Sequence, residues 1–423
     1  MSKDNNNLYA GLPIIAQLLQ FLPPQVVKPT FEQHQSDRYY KKVKTWDQLV
    51  FMLYAVLTGS STLREVIQNF LLLGGKLSYC GLTQIPKRSS ISDANARRKA
   101  NVFGSLYIAL YLHYKELLSD SYLFLPINGE VSPSKVEVFD ATTISLFKDV
   151  FKACGRLPLS GKRKGGIKAF TKITLSERVP NLVFFSPAAN NDRNFLKMMD
   201  LPEGTIAVFD KGFHNFETYG QWTDSHRYFV TRLNDNAVYR LEQQRPLGDA
   251  ATFGISQDCD IALTYADKQT SQTKEVKARA VTYTDPLEGK KLVFLTNLFD
   301  LKALTICLLY KNRWTIEPLY KQIKQNFELT YFLSDSEEGI KTQIWIALIL
   351  NLIFTVIHKM IKEAQDFSTM VKVAAKNTGS YIRFVEFLAD PTKALKALET
   401  EYLQQVQLNL FGNKQGGMFL SSA

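Results

Sequence analysis

Apolar residues recur at three- and four-residue spacing across residues 8–125, which is the spacing of helices that bury one face. The clearest segments are LPIIAQLLQFL, TWDQLVFMLYAVLTG, TLREVIQNFLLLG and NVFGSLYIALYLHYKELL. Turn-forming pairs, among them Pro23-Pro24 and Gly74-Gly75, separate these segments. The pattern predicts an all-α amino-terminal domain, to which we assign residues 1–130.

From residue 131 onward, short segments rich in β-branched side chains alternate between apolar and polar positions, which predicts strands. Two of these segments end at an aspartate: VEVFD at Asp140 and TIAVFD at Asp210. Others lie at about residues 167–175 and 181–186. Together they predict the beginning of a mixed five-stranded sheet in which two strands end at a carboxylate.

The stretch from residue 234 to 296 carries further strand-like segments, AVYRLEQ, IALTY, EVKARAVTY and LVFLTN, separated by polar turns. This stretch separates Asp210 from the next helical segment and predicts a β-rich insertion. The pattern leaves open whether the insertion holds DNA or a partner subunit.

Residues 309–324, LYKNRWTIEPLYKQIK, are predicted to form a helix that presents functional groups on one side and packs on the other. At about 100° per residue, an arc of roughly 60° contains Tyr310, Arg313, Glu317 and Lys324. The neighbouring arc is apolar and contains Ile316, Leu319, Tyr320, Ile323 and Phe327. Pro318 predicts a kink or a restart of the helix beside Glu317. An ordinary amphipathic helix with a solvated charged face would show the same spacing.

Composition favours a polyanionic partner. The 423 residues include 51 basic and 40 acidic side chains, for a net charge of +11 and a pI of about 9.2. Nucleic acid is the first candidate for such a partner. Because 45% of the residues are hydrophobic, the chain has enough apolar side chains for two or three domains and is not a disordered protein.

The cysteines and the apolar segments favour a cytoplasmic protein with no membrane partner. The four cysteines are scattered singly, without the paired spacing of a zinc site or a disulfide framework, and free cysteines suit a reducing cytoplasm. The amino-terminal MSKDNNN lacks the apolar core of a signal peptide. The apolar run at residues 344–357 is shorter than the ~20 residues that span a bilayer, so we predict a buried helix.

Two basic segments are candidates for contacts with a phosphate backbone. Residues 152–172 hold seven basic side chains and no acid, and the candidates among them are Lys162, Arg163, Lys164 and Lys168. Residues 86–100, PKRSSISDANARRKA, predict a short helix that carries Arg97, Arg98 and Lys99. Each segment could equally be a solvated basic surface.

Three acids from distant parts of the chain are candidates for a divalent-metal site. Asp140 and Asp210 end strands, and Glu317 lies on the predicted helix. Carboxylate oxygens suit Mg²⁺, which accepts a few carboxylates and keeps several waters. A pair of such ions can activate a nucleophilic oxygen on one side and stabilise a leaving oxygen on the other.

A resemblance makes these expectations specific. The pattern Tyr310-x2-Arg313-x3-Glu317-x6-Lys324 matches the Y-R-E-K signature of the transposases of insertion-sequence family four. The segments FDATTI, FDKGF and FVTRLNDN also resemble conserved blocks of that family, in the same order. The resemblance extends over most of the chain, from about residue 12 to residue 354.

The resemblance implies a mixed α+β and α/β fold with an RNase H-like catalytic domain. The implied catalytic core comprises residues 131–233 and 297–365, interrupted by the β-rich insertion at 234–296. The helical domain at 1–130 precedes it and would bind transposon ends. Residues 366–423 would contribute dimer contacts.

The resemblance also implies roles for individual residues. Asp140, Asp210 and Glu317 would be the catalytic metal ligands, with Mg²⁺ as the cofactor and Mn²⁺ able to substitute. The DNA contacts at the active site would come from Tyr310, Arg313 and Lys324. Lys211, beside Asp210, is a further candidate for a phosphate contact and could equally be a solvated side chain.

The implied reaction is cut-and-paste transposition of an insertion sequence, with double-stranded DNA as both transposon end and target. A homodimer would hold two ends in a synaptic complex at the nucleoid of a prokaryotic host.

Two alternatives remain: a nuclease of the same fold without strand transfer, and a transposase-derived DNA-binding repressor that has lost catalysis. A glycosidase with paired carboxylates would explain neither the net charge nor Arg313 and Lys324.

Overall fold

The chain forms two compact units. A computed structural model describes residues 11–119, 129–145, 166–177, 179–187, 193–266, 272–285, 289–327, 329, 331–394, 396 and 400. The first unit, here the helical unit, comprises Met1–Leu110, Asn326–Ser334 and Glu338–Ala423. The second, here the sheet unit, comprises Tyr111–Gln325 and Asp335–Glu337.

The helices and strands are numbered in chain order. The α-helices are α1 (Ile14–Leu19), α2 (Pro24–Gln33), α3 (Thr45–Leu57), α4 (Leu63–Leu73), α5 (Arg88–Arg97), α6 (Asn101–Leu118), α7 (Arg193–Leu196), α8 (Phe216–Asp224), α9 (Ala303–Asn312), α10 (Ile316–Asn326), α11 (Glu337–Met360), α12 (Phe367–Lys376) and α13 (Phe384–Ala389). The strands are β1 (Val136–Ser145), β2 (Gly166–Thr174), β3 (Leu182–Pro187), β4 (Ile206–Val208), β5 (Tyr228–Arg232), β6 (Arg240–Gln244), β7 (Ile255–Ala266), β8 (Thr273–Thr284) and β9 (Lys291–Thr296). Short 3₁₀ helices include Lys211–Phe213 and Arg313–Thr315.

Two apolar helices lie in the core of the helical unit. In α3 every residue from Gln48 to Leu57 is buried, as expected for a helix that is apolar on nearly all sides. α11 is long and apolar enough to cross a membrane by length and composition alone, the one such helix among the described residues. However, 94% of its most apolar window is buried inside the protein. The prediction of a buried helix at residues 344–357 is therefore confirmed.

The helical unit unites both ends of the described chain. α1 begins beside the segment before α13, because the backbone N–H groups of Ile14 and Ile15 donate to the carbonyls of Ser380 and Thr378. Lys76 also donates to the carbonyl of Gly379 at 2.7 Å. The amino-terminal helices thus pack with carboxyl-terminal ones within a single compact unit.

The sheet unit contains one mixed sheet. Within the described residues its strand order is β3-β2-β1-β4-β5-β9-β8-β7-β6. β1, β2 and β3 are antiparallel neighbours, whereas β4 is parallel to both β1 and β5. β9 then joins β5 in antiparallel orientation, so the strands predicted as an insertion continue the same sheet. The prediction of a mixed α/β protein is confirmed, but the described residues form one sheet of nine strands instead of five strands and a separate insertion.

Aromatic side chains fill one face of this sheet. Phe170 and Phe195 stack with their centroids 4.5 Å apart, and Tyr219 on α8 stacks on Phe229 at 4.4 Å. Phe139 on β1 belongs to the same buried cluster. Because successive strand residues point to opposite faces, Asp140 points away from this aromatic core. The other face is therefore available to the polar residues considered below.

Buried arginine bonds fix the loop that leads into α9. Arg279 on β8 forms a two-pronged pair with Asp258 on β7, at 2.8 and 2.7 Å. The same guanidinium donates to the carbonyls of Leu298, Phe299 and Leu301. The strands β7 and β8 thus hold the segment from which α9 starts.

Candidate active site

Asp140 and Asp210 lie next to each other on neighbouring parallel strands. In the β1–β4 ladder the last pair joins Val138 to Val208. Each aspartate follows its valine by two residues, so both stand just beyond the end of the ladder. A shared register of this kind brings the two carboxylates to one edge of the β1–β4 pair. β1 itself continues to Ser145, so the prediction that its strand ends at Asp140 is wrong, whereas Asp210 does follow the end of β4 at Val208. Only the pairing of β1 with β4 stops before Asp140.

The predicted helix at residues 309–324 consists of two α-helices joined by a 3₁₀ turn. α9 ends at Asn312, the turn spans Arg313–Thr315, and α10 begins at Ile316. Pro318 is the third residue of α10, where a backbone N–H would lack a helical partner anyway. The helix is interrupted before Pro318 because proline has no backbone N–H to bond to the carbonyl four residues earlier, and its ring clashes with that carbonyl.

Arg313 connects this helical segment to the strand carboxylates. Its Nη1 lies 3.7 Å from Oδ2 of Asp140, and its Nη2 lies 3.4 Å from Oε1 of Glu317. The Tyr310 hydroxyl donates a 3.0 Å hydrogen bond to Oδ1 of Asp210. The Tyr310 ring lies 5.7 Å from the Arg313 guanidinium. The structure therefore brings together all three predicted acids with Tyr310 and Arg313.

Lys324 reaches the same strand from the far end of α10. Its Nζ lies 2.7 Å from Oγ1 of Thr142, which follows Asp140 by two residues on β1. Side chains two apart on a strand share a face. Lys324 thus lies on the Asp140 face, and all four residues of the predicted arc converge there despite the helix break.

In the site, Asp140 and Glu317 pair with the Arg313 guanidinium, and Asp210 accepts a hydrogen bond from Tyr310. Burial raises the pKa of Asp140, and the charges of Asp210 and Glu317 raise it further. The Ala141 N–H bond and Arg313 oppose this rise. Burial, reinforced by Asp210, raises the pKa of Tyr310 to about 12, so its hydroxyl remains a donor at neutral pH.

The residues present fit a hard divalent cation by their donor chemistry. Asp140, Asp210 and Glu317 supply carboxylate oxygens, the ligands that Mg²⁺ and Mn²⁺ accept. The mutual repulsion that raises the pKa of Asp140 is also what a cation would relieve. Across the described residues, no three Asp, Glu, His or Cys side chains are grouped closely enough to enclose an ion as they are placed. Arg313 instead lies between Asp140 and Glu317.

Arg232 joins the site although the sequence did not single it out. It is the last residue of β5, which neighbours β4. Its charge acts on Tyr310, whose pKa it lowers against the larger effect of burial. Its Nε is buried and has no hydrogen-bond partner within the described part of the chain. Its place at the end of the strand in FVTRLNDN was the available signal.

Two lysines predicted to contact DNA differ in their placement. Lys211 begins the 3₁₀ turn after Asp210 and lies 3.5 Å from the exposed Asp235 carboxylate. Lys168 is buried on β2, with its Nζ 5.6 Å from the Phe170 ring centroid. Because Thr171 lies opposite Asp140, the alternation of the strand puts Lys168 on the other face of the sheet. Lys162, Arg163 and Lys164 lie outside the described residues.

α5 ends at Arg97, so the prediction of a helix that carries Arg97, Arg98 and Lys99 is wrong for the last two, and Arg98 has extended backbone geometry. Arg97 is exposed and paired with Asp93 at 2.7 Å, and Lys99 is exposed and paired with Glu338 at 3.1 Å. Arg98 is only 2% exposed, and it donates to the carbonyl of Val43 at 2.9 Å and stacks 3.9 Å from the Tyr40 ring. Arg98 therefore serves the packing of the helical unit, which leaves Arg97 and Lys99 accessible.

Two family models match the chain. The model described as a transposase DDE domain matches residues 132–352, which is more than half of the chain. The model described as a domain of unknown function (DUF4372) matches residues 10–83. The first match contains all three acids and the whole Tyr310-to-Lys324 segment.

Curated transposases resemble the chain over long segments. A putative transposase of Sinorhizobium fredii is 27% identical over 267 residues, which is 62% of this chain and 69% of that protein. A probable insertion-sequence transposase of Geobacillus stearothermophilus is 24% identical, over 56% of this chain and 60% of that protein. The transposase of insertion sequence IS4 from Escherichia coli is 25% identical, over 47% of this chain and 45% of that protein.

A solved transposase structure also aligns with the chain. The piggyBac transposase synaptic complex with hairpin DNA covers 93% of this chain and 85% of its own, at 9% identity and a TM-score of 0.42. A score of that size is too low to establish a shared fold.

Proposed function

The chain belongs to the transposase DDE domain family, of the kind found in insertion-sequence family four, and we propose that it carries out cut-and-paste transposition. As a family member it is a DNA-cleaving and strand-transferring enzyme. The observation that carries the proposal is the convergence of Asp140, Asp210 and Glu317 with Arg313 and Tyr310. In the proposed reaction each end of the element is cut to free a 3′ hydroxyl, which then joins target DNA.

Asp140, Asp210 and Glu317 would hold the divalent ions with which this family works. We take Mg²⁺ as the physiological ion and Mn²⁺ as a substitute. When bound, a pair of such ions lowers the cost of forming the attacking oxygen and of releasing the 3′ oxygen. The three carboxylates themselves fix where cleavage takes place.

The cationic side chains hold the DNA backbone beside the carboxylates. Arg313 offers a planar fork suited to two phosphate oxygens, and Lys324 offers a single point charge. The Tyr310 hydroxyl donates a hydrogen bond near the cleaved strand. Lys211 follows Asp210 directly and adds charge there. Lys162, Arg163 and Lys164, which lie outside the described residues, would add phosphate contacts.

The domain assignment extends this proposal to the whole chain. Residues 131–233 and 297–365 form the RNase H-like core. The observation that supports this assignment is the arrangement of β1 to β5, in which β1, β2 and β3 are antiparallel and β4 and β5 run parallel to β1. The helices of residues 1–130 bind transposon ends, with Arg97 and Lys99 on phosphates. A homodimer holds two ends in a synaptic complex, and the enzyme acts at the nucleoid of a prokaryotic cell.

The proposal is tested on a duplex that carries the element's own terminal repeat. Purified protein is incubated with the duplex with and without Mg²⁺, and the strands are resolved on a denaturing gel. We expect a Mg²⁺-dependent nick at the repeat boundary that disappears in Asp140→Ala. Binding without any nick, in Mg²⁺ or in Mn²⁺, would overturn cut-and-paste activity and favour a DNA-binding protein that has lost catalysis.

Arg232 supplies a separate test of the DNA-binding surface. We expect Arg232→Gln to weaken binding of the terminal repeat by about tenfold, because a charge-assisted phosphate contact is lost, and to reduce the slope of log K against log salt by about one. Fluorescence anisotropy at several salt concentrations measures both quantities.

Arg227→Gln is the matched control for this test. Arg227 precedes the opposite end of β5 and is already engaged, through Asp200 at 3.8 Å and the carbonyl of Leu201. Its loss should leave the slope unchanged. If Arg232→Gln and Arg227→Gln lost the same binding affinity and salt slope, the effect of Arg232 would come from net charge alone and not from a phosphate contact.

A further inference from the structure

α10 is hydrogen bonded to β1, the strand that carries Asp140, and to its neighbour β2. The Tyr320 hydroxyl is hydrogen bonded to the Thr171 hydroxyl on β2. One turn later, Lys324 bonds to Thr142 on β1. Both contacts come from the helix that carries Glu317, and neither Tyr320 nor Thr171 has a role in the reaction described above.

The strand register makes Thr171 the immediate neighbour of Asp140. In the antiparallel β1–β2 ladder these two residues are directly paired. Paired residues share a face, with Cβ atoms about 4.5–5.5 Å apart. The Tyr320–Thr171 bond therefore ends next to the Asp140 carboxylate, on the face where Glu317 must act.

Resting on the proposed function, we propose that Tyr320 is a positioning residue that sets the separation of Glu317 from Asp140 through its hydrogen bond to Thr171. Tyr320 follows Glu317 by three residues, which makes them neighbours on one helix surface. Glu317 is largely exposed, whereas Tyr320 turns towards the sheet. The rigid ring of Tyr320 spans the gap between α10 and β2, and so fixes the distance between the helix and the sheet.

The surroundings make this bond difficult to replace. Thr171 is 2% exposed, and Leu319 and Ile323 are buried on either side of Tyr320. Water therefore has little access to either hydroxyl, so a lost bond leaves an unpaired group. Burial raises the pKa of the Tyr320 hydroxyl, and the negative charge of Asp140 raises it further. Lys324 cannot provide the same constraint because its chain is flexible.

Two near-isosteric variants remove the bond, and a third retains it. Tyr320→Phe and Thr171→Val keep volume and lose one hydroxyl each, whereas Thr171→Ser keeps the hydroxyl. We expect Tyr320→Phe and Thr171→Val each to lower kcat for end cleavage by about 10- to 100-fold, with end-binding affinity unchanged. Affinity for Mn²⁺, measured by calorimetry on the full chain, should fall by about tenfold. Thr171→Ser should behave as wild type.

Combination and control variants separate positioning from packing. The double variant Tyr320→Phe with Thr171→Val should lose no more than either single variant, since both remove one shared bond. Tyr111→Phe is the control, because it removes a buried tyrosine bond to Glu177, at 2.7 Å, elsewhere in the sheet unit. It should leave kcat and Mn²⁺ affinity unchanged.

The outcomes also distinguish this inference from the proposed function. Wild-type kcat and Mn²⁺ affinity in Tyr320→Phe, alongside a wild type that cleaves and an inactive Asp140→Ala, would overturn the positioning role alone. Additive losses in the double variant would overturn it as well. A wild type that neither cleaves nor binds Mn²⁺ more tightly than Asp140→Ala would overturn both.

Discussion

Glu317→Gln is expected to eliminate DNA cleavage while leaving transposon-end binding nearly intact. Glutamine has the shape of glutamate but lacks the charge that a divalent cation requires from a ligand. Even residues that only support metal ligands change activity by 10–100-fold, so loss of a ligand should cost more than about 100-fold. Cleavage in Mg²⁺ on a terminal-repeat duplex, beside a binding titration of the same duplex, measures the two effects.

The structure separates this effect from a loss of stability. The Glu317 side chain is 61% exposed, and its described ion pair is the 3.4 Å contact with Arg313. Substitutions at such positions usually change the free energy of unfolding by no more than about 0.5 kcal/mol. The thermal unfolding curve of Glu317→Gln should therefore overlay that of the wild type.

A matched glutamate controls for the general cost of the substitution. Glu386 on α13 is 56% exposed and pairs with Arg383 at 3.0 Å, again within one helical turn. Glu386→Gln should leave cleavage unchanged. If Glu317→Gln also cleaved at the wild-type rate, Glu317 would have no place in the metal site. A loss of end binding would assign Glu317 to DNA contact instead.

Much of this site could be predicted from local sequence, although Asp140 lies in the middle of β1 and only Asp210 follows the end of its strand. Asp140 and Asp210 follow apolar strand segments, and adjacent parallel strands bring such residues together. Helical spacing predicted Tyr310 and Arg313 on the same side of one helix, and both side chains contact the aspartates in the structure. Pro318 predicted a break in the helix beside Glu317. The break lies earlier, at Arg313–Thr315, because the proline ring clashes with the carbonyl one turn before it.

Other features depend on residues far away in the chain. The sequence predicts Arg98 as part of a basic helix face. In the structure its guanidinium is buried and donates to the carbonyl of Val43, more than fifty positions earlier in the chain. Lys168 belongs to a basic segment, but the pairing of β2 with β1 turns it away from Asp140. Arg232 and Tyr320 acquire their significance only through neighbours on other elements. Composition carries no information about these pairings.

Arg279→Met is expected to be the most destabilising of the substitutions considered. Methionine keeps much of the length of arginine but leaves Asp258 buried without its partner, and the carbonyls of Leu298 and Leu301 lose a donor. Breaking a buried ion pair on one side costs about 3–5 kcal/mol. Urea denaturation of the full chain, compared at equal m-value, measures this loss.

The same substitution should loosen the start of α9, the helix that carries Tyr310. Because Arg279 fixes the loop before α9, its loss should reduce hydrogen-exchange protection at the first turn of α9, Ala303 onward, more than in α11. Replacing Asp258 with leucine in the Arg279→Met background should recover part of the stability, since an apolar pair is often tolerated where a lone charge is not. The recovery should not extend to the loop, whose carbonyls still lack their donor.

Arg240→Met is the matched surface control. Arg240 also makes a two-pronged contact, with Glu275 at 3.0 and 3.1 Å, but it lies on the exposed strand β6. An exposed pair contributes little because water already solvates both charges. Equal destabilisation by Arg240→Met and Arg279→Met would contradict the assignment of the buried pair as the support of α9. A large loss confined to Arg279→Met, with reduced protection at Ala303, would place the strands β7 and β8 among the determinants of Tyr310 and Arg313 geometry.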